Sequence, residues 1–145
     1  VCDEVFAAGL SERTLLPGFD WALLDECRQH APNIPLSFLT QVNEEEDDVE
    51  ESFSNPLNPN LCNPEISVPE EVKKAGGSLW CPHFSELHAV DLARARELGL
   101  IVVVWTVNER DDIDKMINLR VDAIVTDYPG RVQQRLFERG FQWND

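Results

Sequence analysis

Polar and aromatic side chains follow directly after several apolar runs of this sequence, and these residues are the best placed to do chemistry. Phe19 and Asp20 follow one run, Thr40 ends a second, Trp105 to Asn108 follow a third, and Thr126 to Tyr128 follow a fourth. Short apolar runs of this kind predict strands. If the strands are parallel, their carboxyl ends meet at one edge of the sheet, which is where parallel α/β folds bind ligands.

Trp105 stands out among these residues because it ends the run IVVV, residues 101–104. An indole at the end of a buried strand either fills the core or forms the wall of a pocket, where it offers a flat apolar face and one hydrogen-bond donor. The residue pattern alone leaves both roles open.

Several catalytic motifs are absent from the sequence. It has no GxGxxG or GxxxxGK phosphate loop and no GxSxG nucleophile motif. His30 and His88 belong to helical patterns, whereas His83 lies in the loop WCPHF and is the histidine better placed to contact a ligand.

Three polar residues directly before helical patterns are expected to cap those helices. Asp20 and Asn108 are two of them. Asp127 precedes Pro129 by two residues, a position that predicts a helix cap rather than an acid catalyst.

The elements that would position these residues alternate along the chain. Four runs, RTLLPGF, IPLSFLT, LIVVVWTVN and VDAIVTD, predict strands separated by amphipathic helices, and GGSLWCP predicts only a brief extended piece. Alternation of strands and helices predicts parallel pairing with right-handed crossovers. Two architectures fit: a small doubly wound sheet, or half of a (βα)8 barrel, which needs about 250 residues when complete.

A segment of different character interrupts this alternation at residues 43–75. EEEDDVEE, residues 44–51, carries seven acids in eight residues, and four prolines follow it by residue 69. The acids lack the spacing and the glycine of a calcium-binding loop. The composition therefore predicts a flexible acidic and proline-rich insertion.

Charge and cysteine content exclude some classes of partner. The formal net charge of -15 disfavours nucleic acid and anionic membranes, and any phosphate-bearing substrate would need local positive charge such as a bound cation. No apolar run is long enough to span a membrane. Cys2, Cys27, Cys62 and Cys81 show no metal-binding spacing, and we expect free thiols rather than two disulfides.

Three segments resemble glycerophosphodiester phosphodiesterases. VVVWTVNERDDIDKMINLRVDAIVTDYPGRV, residues 102–132, is similar to the C-terminal signature of that family, in which Trp-Thr-Val-Asn ends one strand and Thr-Asp-x-Pro the next. RTLLPGFDWALLDECRQHAPNIPLSFLT resembles the family's Ser-Phe-Asp strand with the helix and strand after it. LWCPHFSELHAVDLARARELGL matches the segment before the tryptophan strand.

The resemblance implies a fold and an activity. The fold would be α/β, the C-terminal half of a TIM (βα)8 barrel, roughly strands five to eight with a long acidic insertion, so that residues 1–145 form one partial domain. The activity would be metal-dependent hydrolysis of glycerophosphodiesters to glycerol 3-phosphate and an alcohol, a step of lipid and glycerol metabolism, with Mg²⁺ or Ca²⁺ as the divalent cation. Trp105 and Phe19 would line the substrate wall.

The sequence departs from the family in two ways. The family's catalytic histidines, metal-binding carboxylates and substrate lysine belong to the first four strands, which begin with His-Arg-Gly, and this chain has no such motif. Gly18 replaces the usual serine, beside Pro17. We therefore expect that this chain carries no catalytic or metal-binding residue. We also expect that its partner is its N-terminal half or a further copy in a homo-oligomer. The alternatives are an inert half-barrel or a small α/β binding module that pairs with another chain.

Overall fold

The structure, a computed structural model, describes residues 1–41 and 65–142. In these residues one sheet has five strands: β1 (Leu16–Gly18), β2 (Leu36–Thr40), β3 (Leu79–Pro82), β4 (Ile101–Val104) and β5 (Ala123–Ile124). The α-helices are α1 (Cys2–Ala7), α2 (Trp21–His30), α3 (Val68–Lys74), α4 (Ala89–Glu97), α5 (Arg110–Leu119) and α6 (Pro129–Glu138).

The strands lie in the sheet in the order in which they occur in the chain. Every neighbouring pair is parallel, from β1 beside β2 to β4 beside β5. The predicted parallel α/β fold is therefore confirmed. A doubly wound sheet reverses its strand order at a switch point, and the five described strands contain no such reversal.

The predicted count of four strands, roughly strands five to eight of a barrel, is wrong for the described residues because β3 makes a fifth. The run LWCP is only four residues long and ends in proline, so its pattern is weak. The neighbouring strands nevertheless hold it, because Trp80 is in register with Phe38 on one side and Val102 on the other. The buried Trp80 also donates its Nε1 hydrogen to Thr40 Oγ1 at 2.9 Å.

Alternate strand residues pack under the helices and form what we call the covered face of the sheet. Val102 and Val104 of β4 have no exposed surface. They belong to one continuous core with Leu36, Phe38 and Trp80 from the strands and Leu24, Leu92, Ala95, Ile113, Met116 and Val132 from the helices. Burial of this apolar surface is the main stabilising contribution to the fold.

The intervening residues point to the other side, which we call the open face. Ile101 and Val125 each keep 47% of their surface exposed. Ser37 and Cys81, in the middle of this face, are buried, as expected for small side chains at the bottom of a concave surface. Two faces of one sheet thus differ sharply in burial.

Helix α3 lies inside the segment predicted as a flexible insertion at 43–75, and for this helix the prediction is wrong. Pro69 and Val72 are buried, and Glu70 accepts a hydrogen bond at 2.8 Å from Arg94 Nε of α4. Apolar contacts of Val72 with the core outweigh the polar composition of the surrounding sequence. The acidic run itself lies outside the described residues.

Three of the four cysteines are described, and Cys2, Cys27 and Cys81 carry free thiols, as predicted. Cys2 and Cys27 belong to a small apolar cluster that attaches α1 to α2. Burial raises the pKa of Cys81 to about 11, so this thiol stays protonated at neutral pH.

Candidate functional site

The candidate site lies at the carboxyl ends of the strands, on the open face. Phe19 follows β1 directly, His83 follows β3 and Trp105 follows β4. Their positions alternate with those of residues in the covered core, so all three side chains belong to the open face. We call these three residues the ring group.

The rings of this group contact one another although their strands are far apart in the sheet. The ring centroids of Phe19 and Trp105 are 5.5 Å apart at an interplanar angle of 79°. Two strands separate β1 from β4, which in a flat sheet would place them about 14 Å apart. The close approach therefore requires side chains that converge across a concave surface.

His83 completes the group through its own contact with the tryptophan. Its ring centroid lies 5.1 Å from that of Trp105, edge to face, and 4.8 Å from that of Phe84. Backbone pairing fixes this arrangement, because His83 and Trp105 form a parallel bridge and Phe84 N donates to Trp105 O at 3.0 Å. The tryptophan and histidine are thus held as a rigid pair.

Trp105 itself is not part of the covered core but stands at the edge of the open face, half-buried. Its Nε1 hydrogen is donated to the carbonyl oxygen of Cys81 at 2.9 Å. Because that donor is already used, the indole presents an apolar surface. Phe19, which is 36% exposed, continues this surface.

The imidazole of His83 is the polar element of the ring group. Its Nδ1 lies 2.7 Å from Ser85 Oγ. Burial lowers the pKa of His83 below its usual value because the charged form loses solvation. The side chain is therefore neutral at pH 7 and can exchange hydrogen bonds with a polar ligand.

A second cluster, formed by Asn108, Thr126 and Asp127, joins the loops after β4 and β5. Asn108 Nδ2 donates to Asp127 Oδ2 at 2.7 Å, and Asn108 Oδ1 accepts from Thr126 Oγ1 at 3.0 Å. Asp127 N also donates to Asn108 Oδ1 at 3.0 Å. The cluster therefore ties the loop after β4 to the loop after β5.

This cluster corrects the predicted helix caps. Asn108 and Asp127 were expected to cap α5 and α6, but the cap residues are Glu109 and Tyr128, and neither uses its side chain as a cap. Each predicted cap is instead a partner of the other, an interaction between loops that local sequence could not reveal. At α2, Asp20 does cap the helix as predicted, by accepting from Leu23 N at 3.0 Å.

The described residues do not supply a metal site. Within residues 1–41 and 65–142, no three or more histidine, cysteine, aspartate or glutamate side chains come together in a way that could hold a metal ion. Asp127, an acid in the loop after β5, is bonded to Asn108. None of the described helices combines the length and apolar composition needed to cross a bilayer.

The described residues also line a cavity, but this cavity lies at the amino end of the sheet, opposite to the ring group. Arg28, Pro35, Gly76 and Ser78 line it, near the amino ends of β2 and β3. The Arg28 guanidinium is already bonded to Asp25 and to the carbonyl oxygen of Ala75. Parallel α/β folds bind ligands at the opposite, carboxyl end, so we assign the candidate site to the ring group.

Comparison with known proteins gives a family match for this chain. Residues 4–131 match the glycerophosphoryl diester phosphodiesterase family. A crystal structure from Silicibacter pomeroyi DSS-3, assigned as a glycerophosphoryl diester phosphodiesterase, is 42% identical with a TM-score of 0.83, and covers 98% of this chain and 44% of that one. A search of curated proteins found no match.

Two further solved structures share the fold. A glycerophosphodiester phosphodiesterase from Parabacteroides distasonis is 26% identical, with a TM-score of 0.72, over 96% of this chain and 49% of that one. An Oleispira antarctica phosphodiesterase in complex with its product sn-glycerol-3-phosphate is 17% identical, with a TM-score of 0.63, over 85% of this chain and 41% of that one. The chain thus spans less than half the length of each of these structures.

Proposed function

Because the chain belongs to the glycerophosphoryl diester phosphodiesterase family, we propose that it forms the C-terminal part of a (βα)8 barrel that hydrolyses glycerophosphodiesters to glycerol 3-phosphate and an alcohol. The observation that carries this proposal is the convergence of Phe19 and Trp105 at the carboxyl ends of sequential parallel strands. The product bound by the Oleispira antarctica phosphodiesterase is consistent with glycerol 3-phosphate as a product here.

The proposed role of Trp105 and Phe19 is to form the apolar wall of the substrate site. Glycerol carbon atoms pack well against aromatic faces, and with its indole hydrogen already donated, Trp105 can offer the substrate little else. Both residues would contact the substrate without taking part in proton transfer.

The open face supports the barrel interpretation. A (βα)8 barrel covers the outside of its strands with helices and fills the inside with side chains from all eight strands. The covered face has its helices, whereas Ile101 and Val125 lack the neighbours that the remaining strands would provide. We propose that residues 1–145 are one partial domain into which the acidic segment is inserted between β2 and α3.

Catalytic and metal-binding groups would come from the remaining strands. A divalent cation, Mg²⁺ or Ca²⁺, would supply the positive charge that attracts and polarises the phosphodiester of the substrate. The described residues do not fit such an ion, so we assign no step of the reaction to a metal held by them. On its own, the chain is expected to be inert and to associate through its exposed apolar surface.

An alternative function is an inert half-barrel or small α/β module that binds another chain. The exposed Ile101 and Val125 favour a partner of some kind, which both proposals share. The two differ in whether supplying the other strands restores hydrolysis. A further copy of this chain could cover the face without creating activity.

The deciding experiment supplies the remaining strands of the proposed barrel. In what we call the barrel chimera, this chain replaces the aligned segment of the Silicibacter pomeroyi protein. We expect a folded chimera to hydrolyse glycerophosphocholine with Mg²⁺ or Ca²⁺ added. Absence of hydrolysis by a folded chimera, when the unaltered Silicibacter pomeroyi protein is active, would reject the enzymatic proposal and favour the binding module.

Removal of the indole tests the wall. In the barrel chimera, Trp105→Ala should lower kcat/KM for glycerophosphocholine by about 10- to 100-fold, because an apolar contact of this size contributes about 1.5–3 kcal/mol. Phe137→Ala is the matched control, since that ring is 77% exposed on α6. A Trp105→Ala chimera with kcat/KM within twofold of the parent would exclude a substrate wall at this position.

A further inference from the structure

Trp105 cannot donate a hydrogen bond to the substrate, although it forms part of the proposed apolar wall of the substrate site. The single donor of the indole is bonded to Cys81 O at 2.9 Å, on the same chain. The ring of Phe19 has no polar atom. A glycerophosphodiester carries hydroxyl groups beside its phosphate, and burying a hydroxyl against an apolar wall without a hydrogen bond costs free energy.

Three polar side chains occupy open-face positions near the carboxyl ends of the strands: Gln41 after β2, His83 after β3 and Asp127 after β5. The carboxylate of Asp127 is bonded to Asn108. Gln41 adjoins the part of the chain that the structure does not describe. Of the three, His83 is the one whose ring contacts Trp105, at 5.1 Å between centroids.

The hydrogen bonding of His83 leaves one ring nitrogen available among the described residues. Nδ1 lies 2.7 Å from Ser85 Oγ, and no described group pairs with Nε2. A serine hydroxyl can donate or accept, so this contact allows either tautomer of the imidazole. The available nitrogen can therefore accept from a ligand hydroxyl or donate to it.

We propose that His83 is a specificity-determining residue, whose Nε2 forms a hydrogen bond with a hydroxyl of the glycerophosphodiester while the carbon atoms beside that hydroxyl lie against Trp105. This inference rests on the proposed function. The hydroxyl belongs either to the glycerol or to the alcohol portion of the substrate, and the two share the same chemistry.

The electrostatic state of the side chain fits a hydroxyl better than a phosphate. Burial lowers the pKa of His83, so the ring is neutral at pH 7 and adds no positive charge to the site. A neutral imidazole pairs well with neutral donors and acceptors, whereas phosphate binding favours a full positive charge.

The test uses the barrel chimera with three diesters. Glycerophosphocholine has hydroxyls only on its glycerol, glycerophosphoglycerol has them on both sides, and bis-p-nitrophenyl phosphate has none.

The variant His83→Phe keeps the aromatic contacts and removes both ring nitrogens. We expect kcat/KM for glycerophosphoglycerol, which has hydroxyls on both sides, to fall by about five- to tenfold, mainly through KM, as the loss of one neutral hydrogen bond predicts. Hydrolysis of bis-p-nitrophenyl phosphate should be unchanged.

Matched variants separate a contact from a structural role. His88→Phe changes an exposed histidine at the start of α4 and should leave all three activities unchanged. His83→Gln places an amide near the position of Nε2 and should recover part of the lost activity on glycerophosphoglycerol. This recovery would not occur if the side chain only supported the fold of the loop.

The outcomes distinguish the inference from the function on which it rests. An equal loss on glycerophosphocholine would assign the hydroxyl to the glycerol portion, and a loss confined to glycerophosphoglycerol would assign it to the alcohol portion. An equal loss on bis-p-nitrophenyl phosphate, or no loss on any substrate, would overturn the role of His83 alone. A folded parent chimera inactive on all three would overturn the proposed function, and the role of His83 with it.

Discussion

The covered and open faces of the sheet are made from the same strands, yet their apolar side chains differ in burial. On β4, Val102 and Val104 have no exposed surface, whereas Ile101 keeps 47% of its surface exposed. The covered face packs against the described helices, and the open face has the aromatic ring group at its edge. This difference separates the part of the chain that stabilises the fold from the part that we propose to meet the substrate.

Truncation of a large core side chain should destabilise the covered face strongly. In the barrel chimera, Phe38→Ala should lower the free energy of unfolding by about 3–5 kcal/mol, because it leaves a cavity in a close-packed core. Phe38 is buried and its ring contacts that of Trp21 at 5.2 Å, edge to face. Urea unfolding followed by circular dichroism would measure the change. A loss below about 1 kcal/mol would mean that this face is not the main core.

A somewhat weaker destabilisation should follow from truncating a residue of the open face, if that face is covered by the added strands. If the added strands complete a barrel, Ile101 becomes buried, and Ile101→Ala in the barrel chimera should cost about 2–4 kcal/mol of unfolding free energy. The same urea experiment serves, with Val90→Ala on the exposed surface of α4 as the control. A cost near that of Val90→Ala would show that Ile101 stays exposed and that the barrel does not close.

The smallest expected loss of stability comes from an ion pair in the helical layer that packs on the covered face. Asp114 of α5 pairs there with Arg135 and Arg139. Arg135 Nε donates to Asp114 Oδ1 at 2.9 Å, and Arg139 lies 3.0 Å from the same oxygen. The hydrogen bond from Arg135 is the main cause that lowers the pKa of Asp114 below 3.8. The carboxylate is therefore charged in the folded state across the neutral range.

The pH dependence of this pair has a definite sign. A carboxyl group with a lowered folded-state pKa stabilises the fold above its unfolded pKa, and the contribution is lost as the pH falls through the folded pKa. Asp114→Asn should therefore make the barrel chimera less stable at pH 7, by an amount that shrinks once the pH drops below about 4. Urea midpoints measured across this range would check it. A difference that is constant with pH would contradict an ionic role.

Much of the fold could be predicted because it depends on local pattern. Apolar runs followed by helical spacing predicted β1, β2, β4 and β5 and their parallel pairing, and Asp20 capped α2 as expected. Strand β3 was predicted only as a brief extended piece and not counted as a strand, because its four residues owe their conformation to the strands on either side. Helix α3 was missed because its buried Val72 lies in an otherwise polar segment.

The candidate site was predictable in its location but not in its contacts. Parallel strands imply that Phe19 and Trp105 lie at the same edge, and the structure brings their rings together. Their role in substrate binding stays a prediction. The bond from Trp105 to Cys81 O and the pairing of Asn108 with Asp127 link residues about 20 positions apart or more, and no local pattern encodes them.

The most direct test of the account is a crystal structure of the barrel chimera with sn-glycerol-3-phosphate. We predict glycerol carbon atoms within about 4 Å of the Trp105 ring. We also predict that Ile101 and Val125 will be buried against the added strands. A ligand bound away from Trp105, or a structure in which Ile101 and Val125 remain exposed, would contradict the claim that this chain is a barrel segment whose open face meets the substrate.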